Sequence, residues 1–171
     1  RSVARNTGAA IARGRYLHFL DDDDILLPGA LAAFQRAAAA HDSAAWLYGN
    51  WRTVDNQATV VNVFRPALQG NVFSLVVAGE SLPLQGSLLR AADFFAVGGF
   101  DADPNLLGVE DRELSRRVAI RGTIAHVDHL VAQVRIGEAT STTNWAMTAE
   151  RDRLGRERAL ANEGAFGRLL T

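Results

Sequence analysis

The segment YLHFLDDDDILLPG, residues 16 to 29, sets an apolar run directly against four consecutive aspartates. Adjacent carboxylates repel one another, so an ordered protein keeps such a run on a solvated turn or around a cation. The residues from Tyr16 to Leu20 lack polar alternation and follow a Gly14 stop, which predicts a central parallel strand, apolar on both faces. The aspartates then stand at the carboxyl end of that strand, where open α/β sheets bind ligands. Taken alone, the acidic run fits a divalent-cation site and a solvated turn leading into the next helix equally well.

The surrounding pattern predicts an α/β chain. SVARNTGAAIA reads as a short helix, and PGALAAFQRAAAAH as an alanine-rich helix with Pro28 near its start. AAWLYGNWRTV and ATVVNVF form two strands around a DNQ turn. A short strand at Ser87 to Leu89, a helix near Ala91 to Val97 and a Gly-Gly turn follow. VEDRELSRRVAIRG is helical with Gly122 as its stop, and TIAHVDHLVAQVRI divides into two short strands. The chain has 171 residues, enough for one domain. Residues 1–147 read as the catalytic unit and 148–171 as a charged amphipathic helix.

Composition removes several chemistries. With no cysteine there are no disulfides, thiolate metal sites or cysteine nucleophiles. All 18 basic residues are arginine, so there is no P-loop lysine and no Schiff base. A net charge of −1 gives no general attraction to nucleic acid. No stretch approaches the length of a membrane span.

A second acidic site is Glu110–Asp111, at a predicted helix start. Acids there stabilise the helix dipole and commonly do nothing more. Combined with an upstream acidic strand end, they become candidates for a proton acceptor beside a metal site. Glu113 and Arg117 read as a surface i, i+4 pair without function. His126 and His129 read as structural rather than ligating, and Trp46, Trp51 and Trp145 need no role beyond packing.

Two blocks together resemble the family 2 glycosyltransferases. The first is ARNTGAAIARGRYLHFLDDDD. The second is LQGSLLRAADFFAVGGFDADPNLLGVEDRELSRRVAIRG, in which Gly-Gly-Phe-Asp leads to Glu-Asp and a helix ending in Arg-Gly. The resemblance implies a GT-A fold, a Rossmann-like mixed sheet flanked by helices, here with its N-terminal strands missing. It implies an inverting transfer of sugar from a nucleotide-sugar donor to a hydroxyl on a saccharide or lipid-linked acceptor, dependent on Mn²⁺ or Mg²⁺. By position, Arg5, Asp21, Asp22, Gly86 and Ser87 would lie at the nucleotide-sugar, and Asp23 with Asp21 at the metal. Asp24 would shape the site. Asp111 would be the general base and Glu110 its neighbour. A helix N-terminus lowers a carboxylate's pKa while burial raises it, and the sequence leaves that contest open.

The chain also departs from the family pattern. Arg135 is followed by Ile136 and Gly137 rather than by the x-His of many relatives, so a histidine ligand there is not expected. The Gln-x-x-Arg-Trp of processive polymerases is absent too. The implied location is cytoplasmic, with peripheral association at the inner membrane face as an option. Oligomeric state is not legible. The competing readings are a haloacid-dehalogenase-like phosphatase, using Asp21 as nucleophile with Arg121 or Glu110–Asp111 in support, and a non-catalytic metal- or carbohydrate-binding fragment.

Overall fold

The computed structural model describes residues 1–137 and 145–161. Its six helices are α1 (Ser2–Ile11), α2 (Ala30–Ala40), α3 (Phe73–Ala78), α4 (Ala91–Ala96), α5 (Glu110–Arg121) and α6 (Trp145–Leu160), with a 3-10 turn at Pro104–Leu106. The strands are β1 (Tyr16–Leu17), β2 (Ile25–Leu26), β3 (Trp46–Val54), β4 (Val60–Phe64), β5 (Ser87–Arg90) and β6 (Ile124–Arg135). They make one mixed sheet in the order β1-β5-β3-β6-β2, with β4 paired to the distal half of β3.

The sheet is packed on both faces, which is why β3 shows a nearly continuous apolar run in place of alternation. Trp46 and Tyr48 point into a core with Phe73, Val76, Phe94, Leu114 and Val118, supplied by α3, α4 and α5. Leu47 points the other way, onto Ala30, Ala33 and Phe34 of α2. Trp46 is therefore a core residue, fully enclosed, and Trp51 stacks on Phe64 at 4.8 Å.

Two expectations are corrected. The strand from Tyr16 is only two residues long, pairs antiparallel with β5, and stands at the edge of the described sheet, not at its centre. Beyond Leu17 the chain stays beside β5 through a side chain instead, with His18 Nδ1 2.8 Å from the Ser87 carbonyl oxygen. TIAHVDHLVAQVRI, read as two strands, is a single strand that pairs parallel with β3 and shifts register around Gly49–Trp51. The polar Asp128 and His129, which imitate a turn in sequence, form the extra residues of that irregularity. Asp128 accepts a bond from the buried Asn50 amide at 3.0 Å, and His126 Nε2 lies 2.8 Å from Asn50 Oδ1. His126 is thus tied into the irregularity, and His129 Nε2 lies 3.4 Å from the Pro28 carbonyl oxygen. The sequence reading also missed α3 and β2. The described part of the C-terminal helix begins at Trp145 and buries Asp152, Gly155 and Ala159; the predicted stretch beyond residue 161 lies outside the described residues.

Gly49 sits where the two long strands cross this irregularity. A Cβ there would stand 2.5 Å from Val131 Cγ1 and 2.9 Å from the His129 carbonyl oxygen. Because one neighbour is backbone, the clash has no cheap escape. Gly49→Ala should destabilise the fold by about 1–3 kcal/mol, the usual range for overpacking. Urea denaturation measures this, and an unchanged midpoint would show that the strands move apart freely.

Candidate functional site

Asp21 to Asp24 form a tight turn in which the Asp24 N–H donates to the Asp21 carbonyl at 3.1 Å. The short β2 pairing to β6 anchors its far side, and Asp24 Oδ1 accepts the Arg135 N–H at 2.9 Å. The acidic run is thus a turn, and it is also aimed into a cleft. That cleft, of about 680 Å³, is lined by Asp21 to Asp24, Gln85, Glu110, Asp111 and the three arginines Arg1, Arg5 and Arg135, among others. The two acidic segments singled out in the sequence face each other across it.

The two sequence blocks meet because α1 docks on the Gly-Gly-Phe turn. The Asn6 amide donates to the Phe100 carbonyl at 2.8 Å, and its oxygen accepts the Phe100 N–H at 2.9 Å. Gly99, at φ 71°, leaves room for this; a Cβ would stand 2.7 Å from Asn6 Oδ1. One residue earlier, Arg5 spans the cleft. Its Nη2 donates to Asp21 Oδ1 at 2.7 Å and its Nη1 to Glu110 Oε1 at 3.1 Å. Burial alone would lower the Arg5 pKa, but Asp21, Glu110 and Asp111 more than offset it, and the net direction is upward.

The adjacent acids of α5 have different surroundings. Both Glu110 oxygens are engaged, one by Arg5 and the other by the Gly108 N–H at 2.6 Å. Asp111 Oδ1 accepts its neighbour's N–H from Arg112 at 2.8 Å, while Oδ2 has no hydrogen bond among the described residues. Burial pushes the Asp111 carboxyl above the usual range, with the Arg112 N–H opposing and Glu110 adding to the rise. The contest left open by the sequence is therefore won by burial over the helix N-terminus. Asp24 is also raised, to about 6, by burial first; the Arg135 N–H opposes, and Asp23 and Asp21 add repulsion.

Not every expected residue is at the cleft. Gly86 and Ser87 are buried behind its wall, Gly86 packed toward Val131 and Pro83 and the Ser87 hydroxyl bonded to the Pro83 carbonyl. Gln85 takes their place, its Nε2 3.3 Å from Asp21 Oδ2. Gln85, Asn56 and Arg135 line the cleft and were not predicted to; only their proximity to the flanking blocks hinted at it. Glu113 is a further correction. It pairs with Arg117 as expected, at 2.5 Å, but it is buried rather than on the surface. Arg121, which a phosphatase would need, is exposed at the opposite end of α5, roughly 16 Å along the helix axis from the cleft. Among the described residues, no three His, Asp or Glu side chains converge on one metal-sized position.

Asp24 gives a pH test. An unfolded aspartate titrates near 3.8, whereas the folded one holds its proton up to about 6. Its stability contribution is full below the unfolded value and is lost as pH rises through the folded one. In chelator-treated buffer the chain should lose stability between about pH 4 and 6, and Asp24→Asn, which keeps an acceptor for Arg135, should flatten that slope. Parallel slopes for the two proteins would place the titration elsewhere.

Residues 1–65 match the family model of Glycosyl transferase family 2. No curated protein matches the chain. Among solved structures, S. aureus TarS 1-349 in complex with UDP-GlcNAc superposes with a TM-score of 0.69 at 16% identity, covering 95% of this chain and 48% of that one. TarS 1-349 alone (TM-score 0.62, 15% identity) is covered over 98% of this chain and 50% of that one. The complex of TarS 1-349 with UDP (TM-score 0.62, 15% identity) is covered over 94% and 49%. The chain thus spans about half the length of these structures. The match is one of fold, and that fold is the GT-A glycosyltransferase fold.

Proposed function

We propose that this chain, whose first 65 residues match the model of glycosyl transferase family 2 and whose fold is GT-A, is the catalytic part of an inverting, divalent-metal-dependent glycosyltransferase acting on a nucleotide-sugar donor. The observation that carries the reading is the cleft in which Asp21 to Asp24 face Glu110 and Asp111. The TarS structures that hold UDP-GlcNAc and UDP make a uridine nucleotide the first donor to test.

The charge of the cleft argues for a cation. Six carboxylates line it against three guanidiniums, a formal balance of −3 if all are ionised. An anionic diphosphate would be repelled from such a surface. Asp23 is exposed in the cleft and has no side-chain bond among the described residues, whereas Asp21 is shared with Arg5 and Gln85. One or two carboxylates with the remaining ligands from phosphate and water is how Mg²⁺ is commonly held, so these residues fit Mn²⁺ or Mg²⁺. When bound, the cation would neutralise charge on the leaving diphosphate.

In this reading the chain's own groups do the following. Arg5 and Arg135 place positive charge where the diphosphate enters, and Asp22 and Gln85 border the donor. Asp111 accepts the proton of the acceptor hydroxyl through its unengaged Oδ2 as that oxygen attacks the anomeric carbon. Direct displacement with one base inverts the centre. Glu110, tied to Arg5 and Gly108, orients the segment. The acceptor is a saccharide or a lipid-linked one. A cytoplasmic enzyme fits this chemistry, and among the described residues no helix is long and apolar enough to cross a membrane.

Asp111→Asn in the enzyme should lower kcat by roughly 10² to 10⁴ and spare nucleotide binding, while Glu110→Gln is milder. Steady-state rates with UDP-sugars, together with calorimetry, separate the two effects. A more damaging Glu110→Gln would move the base to Glu110. Asp23→Asn should abolish Mn²⁺-dependent turnover and weaken UDP binding, and unchanged turnover with an unchanged dependence on Mn²⁺ would remove Asp23 from the site.

A further inference from the structure

The segment that presents Glu110 and Asp111 is held from outside the cleft by α6. Residues 101–109 carry two small devices of their own: Asp101 accepts the Asp103 N–H at 2.9 Å, and Asp103 caps the 3-10 turn through the Asn105 N–H at 2.8 Å. The α6 helix then grips this loop at both ends. Arg158 Nη1 donates to Asp101 Oδ2 at 3.0 Å and Nη2 to Asp103 Oδ2 at 2.5 Å, at the loop's start. Arg151 Nη1 donates to the Leu107 carbonyl at 2.6 Å, one residue before the Gly108 N–H that holds Glu110.

The same helix is fixed to α5 itself. Asp152, 4% exposed, accepts Arg116 Nη2 at 2.7 Å, and Arg116 is 1% exposed. Arg116 Nε continues to the Val76 carbonyl of α3 at 3.2 Å. Arg112, whose N–H bonds Asp111, approaches the same Asp152 carboxylate at 3.9 Å. Thus α6 touches the chain on both sides of Gly108–Asp111 while contributing no residue to the cleft lining.

We propose that α6 is a brace that sets the position of the Glu110–Asp111 segment, with Arg151 and Arg158 as its positioning residues. The proposal rests on Asp111 being the base. Arg158 makes exposed ion pairs and Arg151 an exposed bond to a carbonyl oxygen; such surface contacts add little to global stability, so losing both side chains should move the loop more than it unfolds the protein. A base displaced by about 1 Å can cost about 10²-fold in rate, and partial loosening should cost less, about tenfold.

The experiment compares the double variant Arg151→Ala, Arg158→Ala with Arg151→Lys, Arg158→Lys in the full-length enzyme. Amide hydrogen exchange is read on residues 103–111 and on β3, UDP affinity is measured by calorimetry with Mn²⁺, and kcat is measured with UDP-GlcNAc. The alanine pair should speed exchange in 103–111 while β3 is unchanged, and lower kcat about tenfold at unchanged UDP affinity. The lysine pair should restore most of both. Unchanged exchange in 103–111, or equal acceleration in β3, overturns the brace. Accelerated exchange without loss of kcat overturns its role in positioning. Asp111→Asn, run alongside, isolates the functional reading: if that variant keeps its rate, Asp111 is not the base, and the exchange data still decide whether α6 holds the segment.

Discussion

A guanidinium held by two carboxylates, one 16 and the other 105 residues further along the chain, Arg5 between Asp21 and Glu110, is the contact on which the cleft depends. Two acidic segments cannot approach each other unaided. Like charges about 4 Å apart cost about 4 kcal/mol at the effective dielectric of a partly exposed site. Arg5 turns that repulsion into two attractive pairs, and its ring contact with Phe100 at 5.4 Å aligns it over the turn that Asn6 binds. Arg5 and Asn6, adjacent on α1, thus fasten the first sequence block to the second. Because Arg5 occupies Asp21, the acids of this turn that face the cleft without a side-chain partner among the described residues are Asp22 and Asp23.

Arginine performs this fastening elsewhere, and the absence of lysine gives it added meaning. Arg117 reaches Glu113 and the Val97 carbonyl; Arg116 reaches Asp152 and the Val76 carbonyl; Arg158 reaches two aspartates. Each joins groups from separate segments. A planar fork with five fixed donors meets two acceptors at once, whereas an ammonium offers a point charge on a flexible stem. Arginine staples therefore hold the loops around α5, where packing alone offers little: residues 101–105 are largely solvent-facing, and Leu106 and Val109 are the loop's residues sealed in the core.

Much of this was legible in the chain. The acidic turn, the β3–β4 hairpin, the Gly-Gly turn and the start of α5 all have local signals, and the meeting of Asp21 to Asp24 with Glu110–Asp111 was implied by the resemblance of the two blocks to family 2 glycosyltransferases. What was hidden depends on partners far away in sequence. The Tyr16 run looked like a central strand because apolar residues do not say which element covers them. Residues 124–135 looked like two strands because a bulge and a turn both present polar residues inside an apolar run. Glu113 looked exposed because the spacing to Arg117 describes the helix surface but not what packs on it; Gly155 of α6 lies against it. Gln85 could not be distinguished from Gly86 and Ser87, since the three stand at the turn that opens β5 and the sequence does not say which side chain faces the cleft.

The divergence of Glu110 and Asp111 shows how a helix start can separate two like acids. Both sit in the first turn of α5, where the helix field lowers carboxylate pKa values. The Glu110 side chain folds back to the Gly108 N–H and Arg5, so each of its oxygens is already held by a donor. Asp111 takes a single bond from the Arg112 N–H, and burial raises its pKa against that bond. A carboxylate raised in this way is the stronger base, and its second oxygen is unengaged by any described residue. Removing the Arg5–Glu110 tie would free a second acceptor a few ångströms away and erase the distinction. In the mechanism proposed above, the neighbour's ion pair is therefore part of what would make Asp111 the base.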